Sequence, residues 1–140
     1  MSNDHLGTPQ KLTESNGNVV WSAGYKSFGE ANIDEASTVV NNLRFPGQYY
    51  DQETGLHYNY YRYYDPGVGR YDREDPVGLV GGVNLFAYVD NNPINLYDYL
   101  GFFGGHPGGY LCMDYPLQIL KNIRQIDKTE QIMKTRKISK

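Results

Sequence analysis

Between Leu43 and Phe102 the chain packs tyrosine, glycine, Asp-Pro and Asn-Pro at a density that ordinary globular domains do not reach. The stretch opens LRFPGQYYDQETGLHYNYYRYYDPGVGRYDREDPVGL and continues from Val80 as VGGVNLFAYVDNNPINLYDYLGF. Tyrosine favours strands, and the Pro, Gly, Asn and Asp pairs break them. Strand text and turn text alternate at roughly ten-residue spacing, which predicts short strands joined by turns rather than long helices.

Composition sharpens this expectation. The chain's 140 residues fit one domain at most, and its apolar fraction is 39%, below the roughly 45–50% of a typical globular chain. Fourteen of its residues are tyrosines, each with a hydroxyl that needs a partner when buried. The pattern reads as a sheet surface that packs against neighbours, not as a self-sufficient core.

Charge separates the chain into two materials. Residues 1–120 hold six Lys and Arg against fourteen Asp and Glu, whereas residues 121–140 hold seven against two. A basic end can touch nucleic acid, but the commoner reading of such a charge run is a solvated terminus, and nucleic acid is not expected as a partner. Cys112 stands alone, so no internal disulfide and no cysteine metal cluster is expected. His5, His57 and His106 lie on three separate segments without ligand spacing, and neither metal nor other cofactor is implied. MSNDHLGTPQK has no apolar run of a signal peptide, and no stretch approaches a membrane span.

In chain order, KLTESNGNVVW predicts a hairpin around Asn16-Gly17 with both central residues at positive φ. Gly24 to Asn42 reads as a loop with strand pieces at its edges. Leu56 to Tyr64 reads as one strand of nine residues. On that reading Leu56, Tyr58, Tyr60, Arg62 and Tyr64 share one face, and His57, Asn59, Tyr61 and Tyr63 the other. Asp65-Pro66-Gly67 ends it. Gly69 to Tyr71 begins another short strand, Asp75 to Gly78 turns, Asn84 to Val89 is a further strand, and Asn91-Asn92-Pro93 turns again. GFFGGHPGG has five glycines in nine residues and reads as a flexible linker. Beyond it, Leu117, Ile119, Leu120, Ile123 and Ile126 mark a short helical tail.

These residues carry a resemblance. Tyr60-Tyr61-Arg62-Tyr63-Tyr64-Asp65-Pro66, Gly69-Arg70-Tyr71, Asp75-Pro76-Val77-Gly78-Leu79 and the run from Asn84 to Pro93 follow a family text of YDPxxGR(F/Y), DPxGL and NLYxYVxNNPxxxxDPxGL. The chain resembles the carboxy-terminal end of an RHS repeat-associated core domain, the YD-repeat shell of bacterial polymorphic toxins and toxin-complex C subunits. HLGTPQKLTESNGNVVW looks like a further YD unit.

The resemblance implies an all-β spiral or meander over residues 1–102 that belongs to a larger shell or parent chain. Residues 103–140 would then form a variable tail, the linker plus short helix, read as a truncated toxin tip, and an immunity protein would be a possible partner. In such families the shell is exported or displayed by bacteria and encloses a toxin. Its last segment is an aspartic protease that cuts once after the Leu of PxxxxDPxGL. Carried over residue by residue, the roles fall to Arg62, Asp75 and Asp98, with scission between Phe102 and Phe103. Pro93, Gly101, Pro76 and Gly78 are the structural positions of the motif. The sequence departs from the family at Tyr99, where the pattern has Pro, and at Phe102, where it has Leu. The lost Pro frees a preset turn, while Phe keeps an apolar anchor.

Two carboxylates held close can share a proton and do acid and base work, and an Arg can clamp one bidentately. Blander readings stand beside this one. Asp before Pro is an ordinary turn former, and Arg62 could stack on Tyr60 or Tyr64. Tyr stripes could bind sugar or bases but more often pack between strands. A non-enzymatic surface module, or an inactive remnant of a longer protein, is the alternative reading of the whole.

Overall fold

The computed structural model describes residues 1–102. They form two four-stranded antiparallel meanders, and among them no α-helix occurs. The first sheet runs β1 (Ser2–Asn3), β2 (Pro9–Thr13), β3 (Val19–Tyr25) and β4 (Ala31–Ile33) in spatial order. The second runs β5 (Tyr49–Tyr50), β6 (His57–Asn59), β7 (Arg62–Asp65) and β8 (Arg70–Tyr71), again in chain order. Within each sheet every strand pairs with the next, as dense turn residues dictate. Residues 103–109 of the expected linker, the helical tail and Cys112 lie outside the described residues, whereas the linker's first two residues, Gly101 and Phe102, are buried.

The β2–β3 hairpin forms where Asn16-Gly17 stands, with Leu12 opposite Trp21. Its turn differs from the expectation. Only Gly17 takes positive φ, at 90°. The Gly17 amide donates to the Glu14 carbonyl at 3.0 Å, and a register shift sits between Leu12 and Thr13. Asn16 instead uses its side-chain oxygen to accept from the Asn18 amide at 2.9 Å. This is a longer turn ending in a glycine bulge, stabilised by an Asx contact.

The expected nine-residue strand is a hairpin. Tyr60 and Tyr61 form a two-residue turn between β6 and β7, and Asn59 pairs with Arg62, Tyr58 with Tyr63, His57 with Tyr64. Tyr60 has φ 56°, a left-handed conformation that hairpin turns usually give to glycine. Reversal across the turn shifts the side-chain alternation. His57, Asn59, Arg62 and Tyr64 therefore share the buried face, while Tyr58 and Tyr60 are exposed.

The expected strand from Asn84 to Val89 is also corrected. Asn84 Oδ1 accepts from the Phe86 amide and its carbonyl from Ala87, so the segment turns locally. One isolated bridge, Arg70 with Ala87, is what remains of the pairing. Val89, Asp90 and Asn91 follow in a 3₁₀ turn with positive φ at all three.

The core is largely aromatic. Phe45, Tyr64, Tyr71, Tyr88 and Val89 form one buried cluster with Leu96 packed on it. Phe45 stacks on Tyr88 at 6.0 Å, and Tyr64 meets Tyr88 at 4.5 Å. Tyr64 satisfies its hydroxyl on the Phe28 carbonyl at 2.8 Å, tying the second sheet to the loop that leads into β4. Trp21, 1% exposed, is the largest buried group of the first sheet.

Candidate functional site

Four segments supply the site: the ends of the β6–β7 turn, β8, the Asp75 turn and the Asp98 turn. Asn59 and Arg62 face each other across the first of these and point inward. Tyr71 enters from β8, registered opposite Tyr64. Asp75 opens a turn in which Pro76 presets φ, the Gly78 amide donates to the Asp75 carbonyl at 2.9 Å, and Gly78 takes φ 63°. Asp98 follows the turn begun by Asn92 and buried Pro93, where the Leu96 amide donates to the Asn92 carbonyl.

Arg62 and Asp98 are 3% and 2% exposed. One nitrogen, Arg62 Nη2, lies 3.0 Å from Asp75 Oδ2 and 3.3 Å from Asp98 Oδ2. The two-nitrogen fork expected on one carboxylate is divided instead. Arg62 Nε donates to the Gly101 carbonyl at 2.7 Å and Nη1 to the Leu85 carbonyl at 3.2 Å. The guanidinium does stack on a tyrosine, but it is Tyr71, with the guanidinium carbon 3.5 Å from the ring centre. Tyr60 points to solvent and Tyr64 lies in the core.

Asp98 is gripped on both oxygens. Oδ1 accepts from the amides of Leu100 (3.3 Å), Gly101 (2.8 Å) and Phe102 (3.0 Å). Oδ2 accepts from the Tyr71 hydroxyl at 2.9 Å as well as from Arg62. This wraps the backbone of residues 99–102 around one carboxylate. Gly101 takes φ 75°, and a Cβ there would stand 2.6 Å from the Asn59 carbonyl oxygen. Glycine is required both for the conformation and for the close approach. Phe102 is buried and its ring stacks on Tyr61 at 4.1 Å. The Tyr61 amide donates to the Leu100 carbonyl at 3.3 Å. Phe103 lies outside the described residues.

The environment favours the protonated form of Asp75. Burial raises its pKa above the ordinary carboxylate range, with the Asp98 charge adding to the rise. The Val77 amide and Arg62 oppose it. Burial also holds the Tyr71 hydroxyl protonated, well above the usual tyrosine value, and the Asp98 charge adds to this. Thus Arg62, Asp75, Asp98 and Phe102, named from the sequence, are brought into one buried cluster, while Pro76, Gly78, Pro93 and Gly101 shape its turns. Asn59 and Tyr71 were not singled out by the sequence reading. Asn59 follows from the hairpin register, and Tyr71 from strand order, neither of which local residue patterns reveal. Among the described residues no group of His, Cys, Asp and Glu could hold a metal ion, and no helix is long and apolar enough to cross a membrane.

The two antiparallel meanders, the second with Tyr-Asp pairs at its turns (Tyr50-Asp51, Tyr64-Asp65 and Tyr71-Asp72), define an all-β repeat protein. The chain belongs to the RHS-repeat proteins: the RHS protein family pattern matches residues 2–32, and over 107 residues the chain is 38% identical to the probable deoxyribonuclease RhsB of Dickeya dadantii, covering 76% of this chain and 7% of that protein. The chain is 41% identical over 110 residues to double-stranded DNA deaminase toxin A of Burkholderia cenocepacia, covering 76% of this chain and 8% of that protein. It is 46% identical over 98 residues to the toxin protein Tse5 of Pseudomonas aeruginosa, covering 70% of this chain and 7% of that one. The chain thus spans less than a tenth of the length of these curated relatives. The crystal structure of TcdB2-TccC3 without its hypervariable C-terminal region superposes with a TM-score of 0.65 at 31% identity, over 72% of this chain and 5% of that one.

Proposed function

We propose that this chain forms the terminal segment of a toxin-encapsulating β-shell and cuts its own backbone once, between Phe102 and Phe103. The observation that carries the reading is the Asp98 carboxylate. It holds the Phe102 amide at 3.0 Å while sharing Arg62 Nη2 with Asp75. A second carboxyl, Asp75, is thus held on the same guanidinium nitrogen as the carboxylate that grips Phe102. Asp75, whose protonated form burial favours, gives its proton to the departing amide nitrogen of Phe103. Asp98 takes a proton from the attacking water. The water oxygen bonds to the Phe102 carbonyl carbon, the carbon–nitrogen bond breaks, and the products are a Phe102 carboxylate and a Phe103 amine. Phe102, stacked on Tyr61, anchors the acyl side. Cleavage would separate residues 103–140 from the shell, the step by which an enclosed carboxy-terminal region is freed. The rest of an RHS shell or parent chain, an immunity protein and an exported or cell-surface setting in a bacterium belong to the same proposal.

The saturation of Asp98 also favours a second reading. A carboxylate that already accepts five hydrogen bonds makes a good clasp for residues 99–102 without any chemistry. The site would then be a structural lock in a non-enzymatic module. Intact mass separates the two. Fragments meeting at Phe102/Phe103, absent from an Asp98→Asn chain, establish the protease. A folded wild-type chain that stays whole at 16.0 kDa leaves the clasp.

A further inference from the structure

The Tyr71 hydroxyl sits at the centre of the cluster and the cleavage scheme gives it no task. It lies 2.8 Å from Asn59 Nδ2 and 2.9 Å from Asp98 Oδ2. Asn59 Nδ2 also donates to the Asp98 main-chain carbonyl at 3.0 Å. Two acceptors facing the same nitrogen fix the Asn59 amide, because the flipped side chain would set its oxygen against a carbonyl. This orientation holds although it leaves Asn59 Oδ1 buried without a hydrogen-bond partner. The Tyr71 oxygen therefore accepts from Asn59, and its own proton has one direction left, toward Asp98 Oδ2. The ring beneath is held against Arg62 at 3.5 Å, so the hydroxyl cannot swing away without disturbing the guanidinium.

We infer that the Tyr71 hydroxyl, oriented by Asn59, is a positioning group that sets how tightly Asp98 holds a proton. A donor aimed at a carboxylate favours the ionised form. Among the described residues, Arg62 from β7, Asp75 from the turn after β8 and Tyr88 from the core also face Asp98. Among these Tyr71 adds a neutral donor whose own proton burial retains. It therefore tunes Asp98 across the whole working pH range without changing charge itself.

The consequence for cleavage rests on the proposed function, but the proton affinity of Asp98 can be read without cleavage. The experiment follows the carbon-13 carboxyl resonance of Asp98 against pH in the full chain carrying Asp75→Asn, which among the described residues leaves Asp98 as the carboxylate of the cluster. Adding Tyr71→Phe should raise the Asp98 midpoint by about one pH unit, roughly a tenfold gain in proton affinity, since a hydrogen bond to a charged group is lost. Adding Tyr64→Phe instead removes a hydroxyl that bonds the Phe28 carbonyl and should leave the midpoint in place. An unchanged midpoint with Tyr71→Phe overturns the inference, as does an equal shift with Tyr64→Phe. The Tyr71 hydroxyl proton gives a check that needs no substitution at Tyr71: its chemical shift should move with the Asp98 midpoint, and a shift independent of it overturns the inference. A chain that never cuts yet shows the rise retires the cleavage reading and keeps this one. A chain that cuts, with a pH profile and an Asp98 midpoint both indifferent to Tyr71→Phe, does the reverse.

Discussion

Arg62 Nη2 and Asp98 Oδ2 lie 3.3 Å apart across 36 residues of chain, both side chains almost wholly buried. The contact closes the segment after Pro93 onto the β6–β7 hairpin. The Asp98 carboxylate also holds the amides of residues 100–102, so the same ion pair serves the fold and any chemistry at Phe102.

Replacing Arg62 by Lys should therefore cost more than a charge-conserving change suggests. Lysine offers one nitrogen, whereas Arg62 also serves the Gly101 and Leu85 carbonyls and covers the Tyr71 ring. Urea unfolding should show a loss of about 3 kcal/mol, the usual scale for breaking a buried charged contact. Cleavage after Phe102, where present, should disappear with it. A loss below about 1 kcal/mol would show that the cluster behaves as a surface pair.

Gly101→Ala and Gly55→Ala form a matched pair. Their φ values are 75° and 74°, yet a Cβ at Gly55 meets nothing within 4 Å while one at Gly101 stands 2.6 Å from a carbonyl oxygen. Gly55→Ala should cost only the left-handed backbone term, about 1 kcal/mol. Gly101→Ala should cost clearly more, about 3 kcal/mol, with clash added to strain. Equal losses in thermal or urea unfolding would mean that the Asp98 turn yields without resistance.

Tyr60→Gly should stabilise the chain. Tyr60 holds φ 56° at the hairpin turn and is 57% exposed, so strain is relieved while little burial is lost. Its edge contact with Tyr61 at 4.7 Å offsets part of the gain. A net increase of about 0.5–1 kcal/mol is expected in the unfolding free energy. A decrease would assign the Tyr60–Tyr61 contact more weight than the backbone strain.

Stability should fall on acidification because of His57. Its ring is 2% exposed, and burial lowers its pKa from 6.5 to about 4, with Arg44 adding to the fall. The fold therefore holds it neutral where the unfolded chain would charge it. The contribution is complete above 6.5 and is lost as pH falls toward about 4, a change of about 3 kcal/mol over that window. Asp75 works in the opposite sense. Its raised pKa supplies stability below the unfolded carboxyl value that is lost as pH rises through the folded one. A His57→Gln chain should show a flattened pH dependence of the urea midpoint between pH 6.5 and 4. The same slope in that variant would assign it to another group.

The turns were the most legible part of this protein. Asp-Pro-Gly, Asp-Pro-Val-Gly and Asn-Asn-Pro each bend the backbone by their own side chains or rings. The hairpin at Gly17, the Asp65 turn and the Asp75 turn stand where those residues stand. The turn at Tyr60-Tyr61 carries no local signal, because neither residue is a turn former. It exists because Asn59 and Arg62 are held from both sides by the cluster, which overrides a local preference for extended backbone.

By itself the sequence determined the all-β class, the positions of most chain reversals and membership of the RHS-repeat proteins, because these rest on local backbone preferences and on recurring text. Only the tertiary structure decided which side chains face inward. One unforeseen two-residue turn exchanges the faces of β7, and that exchange places Arg62 and Asn59 on the same buried side. The meeting of Arg62, Tyr71, Asp75 and Asp98 likewise belongs to strand order and register. Contacts between distant segments depend on how sheets close on each other, and no residue's local propensity encodes that.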